Sequence, residues 1–172
     1  IGISGGPSGR FSAFRYRDFR LYWIGHFVSL TGTWMQQAAQ GWLVLRLTDS
    51  AFYLGLVSTA ASLPILFFTL FGGVLADRFE KRTLLLLTQG ASVLPALLLG
   101  YFTMSGRIDV WLVTGLVFCL GVVNSLDIPV RQSFLIDLVT PESLHHAIAL
   151  NAAAFNGARM LGPAVAGFLI GW

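Results

Sequence analysis

Apolar residues gather into five long runs, at roughly 21–47, 52–76, 83–104, 110–130 and 144–171, with few charges inside any of them. A helix rises about 1.5 Å per residue, so crossing a hydrocarbon core about 30 Å thick takes about 20 residues. Each run meets that length, and the pattern predicts an all-α membrane protein with five transmembrane helices. The connections carry matching punctuation. Thr48, Asp49 and Ser50 offer caps after the first run, and Gly106 with Asp109 supplies a stop and a start between the third and fourth. Thr140, Pro141 and Glu142 read as N-cap, first helical position and dipole-favoured acid opening the fifth. Short loops make consecutive helices antiparallel neighbours. Residues 1–20 form a segment before the first helix; its Gly- and Ser-rich opening, Ile1 to Arg10, is expected to be flexible. That opening lacks the basic and short apolar regions of a cleavable signal peptide, so the first helix is expected to be retained.

The first run is not uniformly apolar. Tyr22, His26, Ser29, Thr33, Gln36, Gln37 and Gln40 recur at steps of three and four, which puts a continuous polar stripe along one helix face. Such a face avoids lipid, because amide side chains in hydrocarbon need hydrogen-bond partners. It lines an aqueous cavity or bonds neighbouring helices. The cavity is the preferred reading because the stripe spans nearly the whole helix. His26 alone suits a hydrogen-bonded packing residue.

The fourth run closes with Asn124, Asp127 and Arg131 around Pro129. Proline deletes the bond to the carbonyl of Ser125, so a kink or an end is expected there. An acid about one turn inside the membrane needs a cation or a proton, and Arg131 is the nearest sequence candidate. A structural pair and a proton-coupling site both fit. On the fifth run Ala154, Ala158, Gly162 and Ala166 repeat every fourth residue, a small-residue face that lets another helix approach closely. Asn151 and Arg159 lie on a different stripe. A mid-membrane arginine requires an acceptor or water, which makes Arg159 the sharpest single candidate for function. Pro64 and Pro95 sit inside the second and third runs, where bundles tolerate kinks.

Composition agrees with lipid as the solvent: 55% of the 172 residues are hydrophobic and 11% are charged, against about a quarter charged in soluble domains. The 11 Lys and Arg outnumber the 8 Asp and Glu, but the basic residues edge the apolar runs instead of forming a nucleic-acid patch. Arg10, Arg15, Arg17 and Arg20 precede the first helix, Arg78, Lys81 and Arg82 follow the second, and Arg131 follows the fourth. The opposite side receives Arg46 and Arg107. The positive-inside rule therefore predicts a cytoplasmic N-terminus in a multi-pass protein of the cell (inner) membrane. Phe11, Phe14, Tyr16 and Phe19 interleave with the first arginines, as in a short interfacial segment. One cysteine, Cys119, supports neither a disulfide nor a thiolate metal site within the chain. His145 and His146 are adjacent and diverge on a helix. No catalytic constellation, metal set or cofactor motif is found, and no enzymatic activity is expected.

Gly73, Leu75, Ala76, Asp77, Arg78, Lys81 and Arg82, between the second and third helices, resemble the cytoplasmic signature loop of the major facilitator superfamily; Glu80 stands where that pattern usually has glycine. Gly162, Pro163 and Gly167 are similar to the Gly-Pro motif of the family's exporters. Asp127, Pro129, Arg131 and Gln132, then Pro141, Leu144, Ala147 and Asn151, look like the drug, macrolide and siderophore exporters called transmembrane secretion effectors, and Phe19, Arg20, Trp23 and Ser29 fit that branch's opening. The resemblance runs from Phe11 to Trp172. It implies a major facilitator fold of two six-helix halves that rock about a substrate path. On that expectation the chain holds helices one to five of the N-terminal half, with helix six and the C-terminal half missing from it. The membrane arginine that many proton antiporters carry in helix four is absent, with Val117 near its place, so the resemblance does not extend to proton coupling.

The resulting expectation is a secondary exporter of amphiphilic small molecules that works against a lipid bilayer, needs no cofactor and binds no nucleic acid. Gln36, Gln37, Gln40, Asn151 and Arg159 would line its substrate path. Gly73, Asp77, Arg78, Lys81 and Arg82 would form its conformational-switch loop. The alternative is a non-transporting helical scaffold or receptor that buries the same stripe in permanent helix contacts.

Overall fold

The computed structural model describes residues 17–171. Helix α1 spans Arg17–Thr48, α2 Ala51–Arg78, α3 Lys81–Met104, α4 Val110–Asp137 and α5 Leu144–Gly171, with a 3-10 turn at Pro141–Ser143 ahead of α5. No strand occurs among the described residues. Helices α2, α3 and α4, and the 3-10 turn together with α5, are long and apolar enough to cross a membrane. Helix α1 has 32 residues, ample length, but its polar stripe and the charges Arg17, Asp18 and Arg20 dilute its apolar character. Large apolar side chains such as Leu66, Leu70, Phe71, Leu86 and Met160 point outward. In water they would be a liability; in lipid they meet their own solvent.

The interfacial segment expected over residues 11–19 lies mostly outside the described residues. Where it is described, α1 has already begun at Arg17, and Phe19 is fully buried against Leu135 and Ala147 instead of lying along a membrane surface. Helix α4 runs through Pro129 to Asp137 without a break. Proline deletes a single hydrogen bond, and Val130 and Leu135 beyond it are buried, so packing outweighs the local loss.

The chain divides into two compact units, Ile1–Ala39 with Leu135–Trp172, and Gln40–Phe134. In the described part of the first, α1 and α5 run parallel. The Trp23 indole N–H donates to the Leu150 carbonyl at 2.9 Å, and further along Gly157 faces Phe27 and Gly162 faces Trp34. A Cβ placed on Gly162 would lie 2.5 Å from the Trp34 Cβ and 2.9 Å from both the Met35 nitrogen and the Thr31 carbonyl oxygen. Glycine is therefore required for this approach. Ala154, Ala158 and Ala166 are buried on the same face, which gives the small-residue repeat a packing role.

The second unit is held by an apolar cluster of Val44, Val57, Leu99, Val110, Val113 and Val117. Two glycine–proline contacts fasten α2 to α4. A Cβ on Gly72 would come within 2.8 Å of the Pro129 ring and 2.7 Å of the Ser125 carbonyl oxygen, the acceptor that Pro129 leaves without its helical donor. The reciprocal contact sets Gly121 against the Pro64 ring, at 3.1 Å from a Cβ built there, and against the Ala61 carbonyl. At Pro129 the freed Ser125 carbonyl is thus covered by the bare backbone of Gly72, and at Pro64 the ring itself is met by Gly121.

Candidate functional site

The stripe on α1 separates into groups that satisfy themselves and groups that do not. Thr31 and Thr33 return their hydroxyls to the carbonyls of Phe27 and Ser29 at 2.8 and 3.0 Å, the usual device for a hydroxyl in a membrane helix. His26 is buried and its ring stacks on Tyr22 at 5.5 Å between centroids. A glutamine amide carries two donors and an acceptor on a longer stem, and intrahelical bonding cannot serve it in this way. The Gln36 and Gln40 Nε2 atoms are buried and have no hydrogen-bond partner, and neither does the Asn151 Oδ1 atom on α5. Gln37, next along α1, is exposed. Each such buried, unpaired group costs about 1–3 kcal/mol unless something polar meets it.

Arg159 is exposed halfway along α5. Its guanidinium carbon sits 5.6 Å from the ring centroid of Trp34, and Phe155 meets the same indole edge-on at 5.6 Å. Sequence reasoning singled out Arg159 and missed Trp34, whose position beside it follows from the parallel register of α1 and α5.

Within the second unit, Asp127 is the centre of a buried polar knot. Its Oδ2 accepts from Arg131 Nε at 2.9 Å and from the same guanidinium's terminal nitrogen at 2.6 Å. Its Oδ1 accepts from the Thr88 hydroxyl at 2.6 Å and from Gln89 Nε2 at 3.4 Å. The helix-four acid and its nearest cation are thus brought together, as a charge-assisted pair linked to α3. Thr88 and Gln89 carried no sequence signal beyond being polar in an apolar run.

The signature segment is mostly helix. Gly73, Asp77 and Arg78 belong to the last turns of α2 and Lys81 and Arg82 open α3, which leaves Phe79 and Glu80 as the connection. Asp77 is exposed at a helix C-terminus, the end whose dipole disfavours an acid. Close helix approach here is made by Gly72, which packs on α4, and not by Gly73, where nothing lies within 4 Å of a Cβ. Likewise Gly162 is locked against α1, whereas a Cβ at Gly167 meets nothing and Pro163 is exposed. No cluster of His, Cys, Asp and Glu among the described residues could hold a metal ion.

Residues 8–172 match the family described as transmembrane secretion effector, and the chain belongs to that branch of the major facilitator superfamily. It is 29% identical over 152 residues to the staphyloferrin A transporter of Staphylococcus aureus, covering 88% of this chain and 38% of that protein. It is 24% identical over 144 residues to YfiS, an uncharacterized MFS-type transporter of Bacillus subtilis, covering 83% of this chain and 33% of that protein. The chain thus spans between a third and two fifths of the length of these curated relatives. No solved structure matches it. The family and the apolar helices together make this a multi-pass membrane protein of a transporter family.

Proposed function

We propose that the protein is a secondary active transporter that exports amphiphilic small molecules, of the drug, macrolide or siderophore kind, by alternating access. The observation that carries this reading is the set of buried amide atoms without partners at Gln36, Gln40 and Asn151. A permanent scaffold would be expected to pair such groups inside the helix bundle. A transporter presents them to water and solute in turn, so their satisfaction comes from the path itself. The reading assigns Gln37 and Arg159, both exposed, to the substrate path as well. That one relative is called a staphyloferrin A transporter supports the siderophore-like end of the range.

In this reading the protein sits in the cell (inner) membrane with its N-terminus cytoplasmic. Gly73, Asp77, Arg78, Lys81 and Arg82 form the segment whose contacts change as the transporter switches, and Gly162, Pro163 and Gly167 form the helix-five motif about which α5 adjusts. A C-terminal half completes the path.

Two measurements in cells expressing the full-length protein test this. Cysteines at Lys81 and Arg107 should be labelled from the cytoplasm and from outside respectively; reversed labelling overturns the orientation. Cells carrying the protein should accumulate less of an amphiphilic dye or macrolide than cells lacking it. Equal accumulation across a panel of cationic, neutral and anionic amphiphiles contradicts export.

A further inference from the structure

We infer that Arg159, seated over Trp34, is a receptor for the carboxylate of a singly charged, ring-bearing amphiphile. The inference rests on the transport reading above and names the class of substrate. A guanidinium in an apolar span needs a compensating anion or water. Of the eight acids in the chain, all but Asp127 lie at helix ends or in connections, and Asp127 already accepts from Arg131 and Thr88. No carboxylate among the described residues pairs with Arg159.

The cation is nonetheless held. Its guanidinium carbon lies 5.6 Å from the Trp34 ring centroid, within cation–π reach, and a guanidinium's N–H groups match a carboxylate with two parallel hydrogen bonds. Trp34 is in turn fixed at its root, because its Cβ abuts Gly162, where no side chain intervenes. Phe155 closes on the indole at an interplanar angle of 76°. Cation and aromatic rings are therefore held next to one another. Among the described residues Arg159 is the one cation beside this aromatic shelf, a charge that matches a monoanion better than a dianion. The aromatic shelf favours a ring beside the charged end over a bare alkyl chain.

The test uses the full-length protein reconstituted in proteoliposomes, with 4-(1-pyrenyl)butyrate, its primary amide, and ethidium as a cationic amphiphile. The acid should be transported at least about tenfold more efficiently than its amide, the magnitude expected of hydrogen bonds to a charged group. Arg159→Gln should bring the acid-to-amide transport ratio down to about one, while Arg159→Lys should keep part of the preference. Trp34→Leu should weaken both probes and narrow the gap between them. The acid-to-amide ratio of the unsubstituted protein is decisive even where a variant fails to insert. Equal handling of acid and amide, or parallel loss of both in Arg159→Gln, overturns the inference and assigns Arg159 to structure while ethidium or amide transport upholds the exporter. If none of the three probes is moved, the export reading fails together with it.

Discussion

Arg131 lies one turn beyond Asp127 on α4 and delivers two nitrogens to the same carboxylate oxygen, at 2.9 and 2.6 Å. The other oxygen of Asp127 belongs to Thr88 and Gln89 on α3. The pair therefore ties a helix to its own next turn and to a neighbour at once. Asp127→Asn should destabilise the protein by about 3 kcal/mol, the lower part of the range for a broken buried pair, since Arg131 keeps 17% of its side chain exposed. Membrane abundance and the thermal midpoint in detergent check this. Thr88→Val should cost less, about 1–2 kcal/mol, because the arginine contacts survive. Equal losses in the two variants would mean that the ion pair adds nothing to the hydroxyl bond.

Gly162 and Gly167 belong to one motif but differ in surroundings. Gly162→Ala places a methyl 2.5 Å from the Trp34 Cβ, and overpacking of that kind costs about 1–3 kcal/mol. Gly167→Ala meets nothing within 4 Å and should leave stability level or raised by up to about 1 kcal/mol through helix propensity. Melting curves of the two variants should move in opposite directions, or the second not at all.

Glu142, in the turn before α5, has its carboxyl held below the ordinary value of 4.5, first by a backbone hydrogen bond and then by the Thr140 hydroxyl, with slight opposition from desolvation. A depressed folded pKa means that the contribution is complete above about pH 4.5 and is lost as pH falls through the lowered value. Glu142→Gln should therefore lower the thermal midpoint slightly at pH 7, and the gap should shrink as the pH is taken below 4.5. A gap that is independent of pH would attribute the effect to something other than the charge.

Asp77 stands exposed at the C-terminal end of α2, a position that a helix dipole disfavours. In the proposed switch its partner is engaged in only one conformation. Asp77→Asn should insert normally, at equal abundance, while export falls several-fold through a shift in conformational balance. Unchanged export at equal abundance would remove Asp77 from the switch.

Much of this arrangement can be read in one dimension and some of it cannot. Spans announce themselves because lipid demands long apolar helices, and Asp127 with Arg131 because an i, i+4 spacing settles their contact without tertiary information. That residues 17–20 are already helical is hidden in the sequence by charges that flank the buried Phe19. Gly72 and Gly73 are identical neighbours, and only the rotation of α2 against α4 decides which one is packed. Thr88 beside Asp127 and Trp34 beneath Arg159 depend on helix register, which one chain of residues does not encode locally. The stripe on α1 was legible as a stripe; which of its members satisfy themselves emerged from side-chain geometry.

The most direct measurement is solvent access along that stripe. In the full-length protein with Cys119 replaced by serine, single cysteines at Gln36 and Gln40 should react with a water-soluble thiol reagent, and a transported amphiphile should slow the reaction. Cysteines at Leu43 and Leu45, at or beyond the margin of the stripe, should react poorly and gain no protection. If Gln36 and Gln40 prove as inert as Leu45 and no compound protects them, the stripe is permanent helix-to-helix bonding, and the account of a substrate path along α1 is wrong.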